Sequence, residues 1–152
     1  MSLKMSREEL SIFLEEAFPQ VARDFELEAI TDEILTMRLH VGDHDLRPGG
    51  TVSGPSIFAL ADVAIYLAIL ARIGPEALAV TTNCSIDFMR KPQAGYDLLG
   101  KARILKLGTA LAVGDVLIYS EGMSDPVARA GLTYSIPKSV SVTSASGQFN
   151  SG

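Results

Sequence analysis

With 152 residues, 47% of them hydrophobic and 20% charged, the chain is long enough for one domain with a substantial apolar core. A net charge of −5 at pH 7 argues against a nucleic-acid partner, although a few local arginines could still serve an anionic ligand. The single cysteine, Cys84, excludes an intramolecular disulfide framework and makes the cytoplasm the expected compartment.

In chain order, Ser6 with Glu9 forms the pattern of a capping box. Leu10, Phe13, Leu14 and Ala17 follow at helical spacing, which predicts a helix ending near Phe18 and Pro19. Acidic residues come early and no uninterrupted apolar run precedes them, so the start does not read as a signal peptide. Phe25, Leu27 and Ala29 alternate with charged neighbours, and Thr31 and Asp32 supply a turn. A second alternating run over residues 34–40 predicts a hairpin. Residues 41–52 read as a loop holding Asp43, His44, Asp45 and a Gly-rich Arg47-Pro48-Gly49-Gly50 segment.

The next stretch dominates the chain. Ser53, Gly54 and Pro55 open a helix and Gly74 with Pro75 closes it. From Gly54 to Ala71 the sequence is apolar on every face and carries a single charge, Asp62, in its middle. A membrane span needs about 20 apolar residues, and this run is shorter and interrupted by Asp62, so it reads as a helix wrapped by protein. A carboxylate in such surroundings is costly unless it is paired, hydrogen-bonded or beside a water-filled site, which makes Asp62 the leading functional candidate.

Residues 79–89 predict a strand with Val80, Thr82, Cys84, Ile86 and Phe88 on alternate positions, and residues 90–95 a loop. Further strands are expected over 97–107, 110–120 and 127–136, with turns at Gly108-Thr109 and residues 122–125. Residues 138–152 are rich in Ser, Thr and Gly and read as a disordered tail. The order of elements implies an α+β fold with a largely antiparallel sheet curled around one long helix. A single sheet would leave part of that helix bare, so a partner subunit is expected.

At Gly49-Gly50-Thr51-Val52-Ser53-Gly54 and Phe58-Ala59-Leu60-Ala61-Asp62 the sequence resembles the hotdog-fold thioesterases. More narrowly, it resembles the phenylacetic-acid-degradation type of acyl-CoA thioesterase. The resemblance covers roughly Asp24 to Pro137 and includes the strand that enters a Pro-containing loop at Met89-Arg90-Lys91-Pro92. It implies a segment 1–23 added before a hotdog domain over 24–137. It also implies a homodimer or homotetramer and hydrolysis of an acyl- or aryl-CoA thioester at a site shared between subunits.

Within the resemblance, Asp62 falls on the family's catalytic acid, a general base or nucleophile. Gly54 falls on the glycine whose N–H polarises the thioester oxygen, and Thr81 near a hydroxyl that helps position water. Ser53 stands where the family usually has His, Pro55 where it has a second Gly, and Arg47 where Asn is common. Coenzyme A enters as part of the substrate, with no separate cofactor and no metal.

Gly54 and Asp62 lie two helical turns apart, roughly 12 Å by rise, so one chain should not bring both to one thioester. Antiparallel pairing of two central helices would.

Each candidate also has a plainer reading. Asp62 could be a buried structural acid, Gly54 and Ser53 helix caps, and Thr81 with Asn83 ordinary strand residues. Arg47 could bind a phosphate or brace its loop, and Arg90 with Lys91 could meet the coenzyme A phosphates or form a solvated turn. His44 sits in a solvated loop, and with His40 the only other histidine a zinc site is not expected. Tyr66, Leu67, Leu70 and Cys84 read as core. The rival readings are a non-catalytic acyl-CoA-binding hotdog protein and, less favoured, a hotdog dehydratase, which would rely on a His paired with an acid where the central Gly-rich segment from Arg47 to Gly54 has no His.

Overall fold

The computed structural model describes residues 3–76 and 79–137. Three α-helices and six strands follow in the order α1 (Arg7–Ala17), α2 (Pro19–Ala22), β1 (Phe25–Ile30), β2 (Leu35–Leu39), α3 (Gly54–Ile73), β3 (Val80–Phe88), β4 (Leu98–Leu107), β5 (Leu111–Ser120) and β6 (Ala128–Ser135). The expected tail over 138–152 lies outside the described residues.

The helix ends follow their local chemistry. Ser6 caps α1 and exchanges hydrogen bonds with Glu9. Pro19, expected to stop α1, does so and also starts α2, because a proline at the first helical position lacks only an N–H that would be unpaired there. Ser53 caps α3 by accepting from the Ser56 N–H at 3.4 Å, and Gly74, at φ 95°, closes it. The loop before α3 is more ordered than expected. It contains a 3₁₀ turn at Asp43–Asp45 and a bridge between Leu46 and Val52.

The strands form one sheet in the order β1-β2-β4-β5-β6-β3, every pairing antiparallel. Its inner face packs on α3. Leu35, Met37 and Leu39 of β2 are buried against the helix side, while Thr36 and Arg38 between them are not. On the central strands a band of inward positions is small: Gly100 and Ala102 on β4, Ala112 and Gly114 on β5, Ala128 and Ala130 on β6. Over that band the large side chains come from the helix, with Leu60, Ile65, Leu67, Ile69 and Leu70 fully buried, while Leu98, Ile118 and Leu132 fill the sheet's inner face elsewhere. Small positions on the sheet let the helix sink into its curve, and the two surfaces interdigitate. At Gly114 a Cβ would stand 2.2 Å from Ile65 Cδ1 and 2.7 Å from the Arg103 carbonyl oxygen, so only glycine fits.

Although α3 is long and apolar enough to match a membrane span by length and composition, most of it is packed inside this sheet. One stripe is not covered. Pro55 and Phe58 are exposed and Ala59, Asp62 and Val63 half-buried, at the i, i+3, i+4, i+7 spacing of a single face. Helix α1 joins the same core through Leu10 and Leu14 and is fastened by Arg7 Nε donating to the Leu27 carbonyl at 3.3 Å. The Lys4 N–H ties the preceding segment to the Ala71 carbonyl at 2.6 Å.

Strand β3 departs from the expected alternation. A bulge between Thr81 and Asn83 makes two residues oppose one, so Thr81 pairs with Tyr134 while Cys84 pairs with Leu132. The bulge moves Thr81 to the inner face that Cys84 and Ile86 share, and it turns Thr82 outward, where its hydroxyl donates to the Thr133 carbonyl. β3 is also an edge strand, with Val80, Phe88 and the following Met89 exposed.

Candidate active site

Asp62 sits on the uncovered stripe of α3, half-buried, at the polar end of an apolar cavity. Its Oδ1 accepts two hydrogen bonds, from Thr81 Oγ1 at 2.5 Å and from the Tyr134 hydroxyl at 2.6 Å. Among the described residues nothing donates to Oδ2. The two donors are cross-strand partners at the bulge of the β3–β6 ladder, so the sheet presents both to one residue of the helix.

Tyr134 was not singled out from the sequence. Its ring stacks on Tyr66 at 5.9 Å between centroids, and Tyr66 in turn meets the edge of Phe18 at 5.7 Å. Burial, followed by the neighbouring Asp62 carboxylate, pushes the Tyr134 phenol well above its ordinary value. Tyr134 therefore acts as a hydrogen-bond donor at neutral pH. Tyr66, read as core, is buried and donates to the Glu76 carbonyl at 3.3 Å. Burial and the charge of Glu76 push its phenol up to about 12. Burial and the field of Asp62 likewise raise the half-buried Cys84 thiol, so Cys84 is a protonated packing residue.

The cavity at Asp62 has a volume of about 320 Å³. Leu14, Phe18 and Val21 from the N-terminal helices close it, with Val63 and Tyr66 from α3 and Val80 from β3. Apart from Asp62, Thr81 and the two tyrosines, its walls carry no polar side chain.

A second cavity, of about 520 Å³, lies at the other end of the exposed stripe and is lined by Arg47, Gly54, Phe88, Arg90 and Lys91 among others. Gly54 is the first residue of α3, so its N–H has no partner within the helix. The Phe88 ring closes over it: a Cβ there would touch Phe88 Cζ at 3.4 Å. Arg90 Nη1 donates to the Pro126 carbonyl at 2.7 Å, which holds the guanidinium at the rim. Among the described residues the side chains of Arg47 and Lys91 make no ion pair. Gly54 and Asp62 thus open into different cavities of one chain, as their spacing along the helix requires.

Ser53 and Pro55 line neither cavity. The Ser53 hydroxyl is committed to the helix cap, and Pro55 is an exposed first-turn residue. The start of α3 is held by a residue not picked out from the sequence, Asp45. It is buried, accepts from the Ser56 hydroxyl at 2.7 Å and the Gly42 N–H at 2.9 Å, and offers its own carbonyl to the Ser53 N–H at 2.7 Å. The exposed His44 faces Asp24 and Asp45, and His40 faces Glu26 and Asp97, so neither histidine pairs with Asp62. No group of potential metal ligands occurs among the described residues.

Comparison with known proteins agrees with this architecture. A family model described as the thioesterase superfamily matches residues 49–127. A protein of Silicibacter sp. TM1040 provisionally named a thioesterase superposes with a TM-score of 0.85 at 60% identity, covering 90% of this chain and 95% of its own. The Escherichia coli PaaI protein of the phenylacetic acid degradation operon superposes at 0.68 with 22% identity, covering 84% and 95%. A hypothetical thioesterase of Streptococcus pneumoniae TIGR4, solved with coenzyme A, superposes at 0.69 with 21% identity, covering 88% and 98%. The last two likenesses are likenesses of fold. No curated protein matches the chain significantly. The antiparallel sheet curled around a central helix is the hotdog fold, and by the family match across its central helix and following strands the chain belongs to the thioesterase superfamily.

Proposed function

We propose that this protein hydrolyses an acyl- or aryl-CoA thioester to a carboxylic acid and free coenzyme A, at a site shared by two subunits. The observation that carries the reading is the position of Asp62. It is the charged residue lining a mostly apolar cavity, and among the described residues nothing donates to one of its carboxyl oxygens. That cavity suits the acyl group. The second cavity, rimmed by Arg47, Arg90 and Lys91, suits the anionic part of coenzyme A. Coenzyme A in the Streptococcus pneumoniae structure of the same fold is consistent with that carrier.

In this reading the Gly54 N–H of one subunit polarises the thioester carbonyl. Asp62 of the other activates water or attacks directly, and Thr81 assists it. As the acyl carbon gains its new C–O bond, charge develops on the carbonyl oxygen, where one well-placed donor is worth about 3 kcal/mol. The C–S bond then breaks, and the thiolate takes up a proton from water, in the same step if Asp62 is the base, or, if Asp62 attacks, when water opens the acyl–Asp62 anhydride and frees the carboxylic acid. Antiparallel apposition of two α3 helices supplies the pairing. The exposed Phe58 on α3 and Val80, Phe88 and Met89 at the β3 edge are the apolar surface such a partner would cover.

The test is thiol release from phenylacetyl-, benzoyl-, short-chain and long-chain acyl-CoAs, with Asp62→Ala alongside. Turnover of at least one ester is expected, lowered about 10²–10⁴-fold in the variant with its fold retained. Equal turnover by the variant would remove Asp62 from the mechanism.

A second reading, binding without hydrolysis, is favoured by one observation. The family's usual His is replaced by Ser53, whose hydroxyl is spent on the helix cap. Saturable binding of an acyl-CoA recovered intact would establish it.

A further inference from the structure

Tyr134 lies 72 positions from Asp62 in sequence, and its hydroxyl ends 2.6 Å from Oδ1. A tyrosine in a core strand commonly finds the nearest carbonyl for its hydroxyl, and one is within reach: the Asp62 backbone oxygen at 3.2 Å. That oxygen, however, is already the acceptor for the N–H four residues on in α3. A phenol has one proton, and the shorter contact is to the side chain. The Tyr134 ring is fixed from three directions. It is buried, it stacks on Tyr66 one turn further along the same helix, and its strand position is paired with Thr81. Thr81 reaches the same Oδ1 from the neighbouring strand.

We infer that Tyr134 is a positioning residue which, with Thr81, pins the Asp62 carboxyl through Oδ1 and leaves Oδ2 as the oxygen that meets water or the thioester. The inference rests on the thioesterase reading for its consequence in catalysis, but the hydrogen bond itself can be observed without turnover. Two donors on one oxygen fix the side-chain torsions and differentiate the two oxygens. Without them the carboxyl could rotate freely at the mouth of the cavity. The raised phenol keeps the donor in its protonated form over the range in which the enzyme would work.

The experiment compares wild type, Tyr134→Phe and Asp62→Ala in kcat and KM on the best ester of the panel. In parallel, the tyrosine hydroxyl protons are followed by NMR on protein labelled with ¹³C at the tyrosine ring carbons. Tyr134→Phe keeps the ring and the stack and removes only the hydroxyl. The expected result is a kcat lower by about tenfold with KM within about twofold. The Tyr134 hydroxyl proton is expected to exchange slowly in wild type and to lose its protection and shift in Asp62→Ala. An unchanged kcat in Tyr134→Phe beside an inactive Asp62→Ala overturns the positioning role and leaves the thioesterase reading standing. A Tyr134 hydroxyl signal indifferent to Asp62→Ala overturns it whether or not any ester turns over. Absence of turnover in wild type, with the hydroxyl coupled to Asp62, counts against the hydrolase reading alone.

Discussion

Two residues show how differently a side chain can advertise itself. Asp62 was legible because it is the only acidic residue in a long apolar helix, and the cost of burying a carboxylate demands an explanation. Tyr134, which bonds to it, was not legible, because an aromatic in an alternating strand reads as packing. The available signal was that Tyr134 shares the inward register of Ala128, Ala130 and Leu132, so its hydroxyl would need a buried partner. Asp45 was hidden for another reason: in the run Asp43-His44-Asp45 it looks like part of a solvated loop, yet it alone of the three turns under the helix start.

Tyr66, stacked on Tyr134, is itself shifted by its surroundings. Its phenol is moved from 10.0 to about 12 by burial and by the charge of Glu76, so the folded state favours the neutral form. Its contribution to stability is complete below about pH 10 and is lost as the pH rises through about 12. Urea denaturation midpoints measured across that alkaline window should fall, and less steeply in Tyr66→Phe than in wild type. Parallel slopes for the two proteins would mean that Tyr66 does not titrate with unfolding.

The elements were mostly legible from pattern. Alternation located β1, β2 and the last three strands, and caps located both long helices. The bulge in β3 was not, because a run of Val80, Thr81, Thr82 and Asn83 gives no sign of which residue is the extra one. Which strand positions must be small was equally hidden, since that depends on where α3 lies over the sheet.

Gly114 is the strictest of these positions. Replacing it with alanine would drive a methyl into Ile65 and into the Arg103 carbonyl, the second of which cannot move without disturbing the β4–β5 ladder. Gly114→Ala should lower stability by about 3 kcal/mol, at the upper end of the usual cost of overpacking, as read from chemical denaturation. An unchanged midpoint would show that α3 can lift away from the sheet at little cost.

At the scale of the whole molecule the question is whether two incomplete sites make one complete site. The spacing of Gly54 and Asp62 along the helix is already grounds for a partner, and the fold adds an uncovered helix stripe beside an open sheet edge. The geometry of a second copy was beyond the sequence, because it depends on surfaces assembled from distant segments. Complementation tests it directly. Asp62→Ala and Gly54→Pro should each be inactive alone, proline being tolerated at the first helical position while lacking the N–H. Co-folded in equal amounts, a shared-site dimer should recover about a quarter of wild-type turnover, since half the dimers are mixed and each has one intact site. Recovery of nothing would place both residues' work within a single chain or outside the reaction.

The bulge in β3 has one more consequence, for the tolerance of this site to error. Without the extra residue, the regular register set by Cys84 and Leu132 would bring Thr82 opposite Tyr134 in place of Thr81. A slip of one position ordinarily exchanges an inward side chain for one of different character. Here both neighbours are threonine, so the helix acid would meet the same hydroxyl in either register. The doubled threonine is thus a form of redundancy written into the strand: the local pairing can shift, or the chain lose one residue at this point, and the acid would still have its donor.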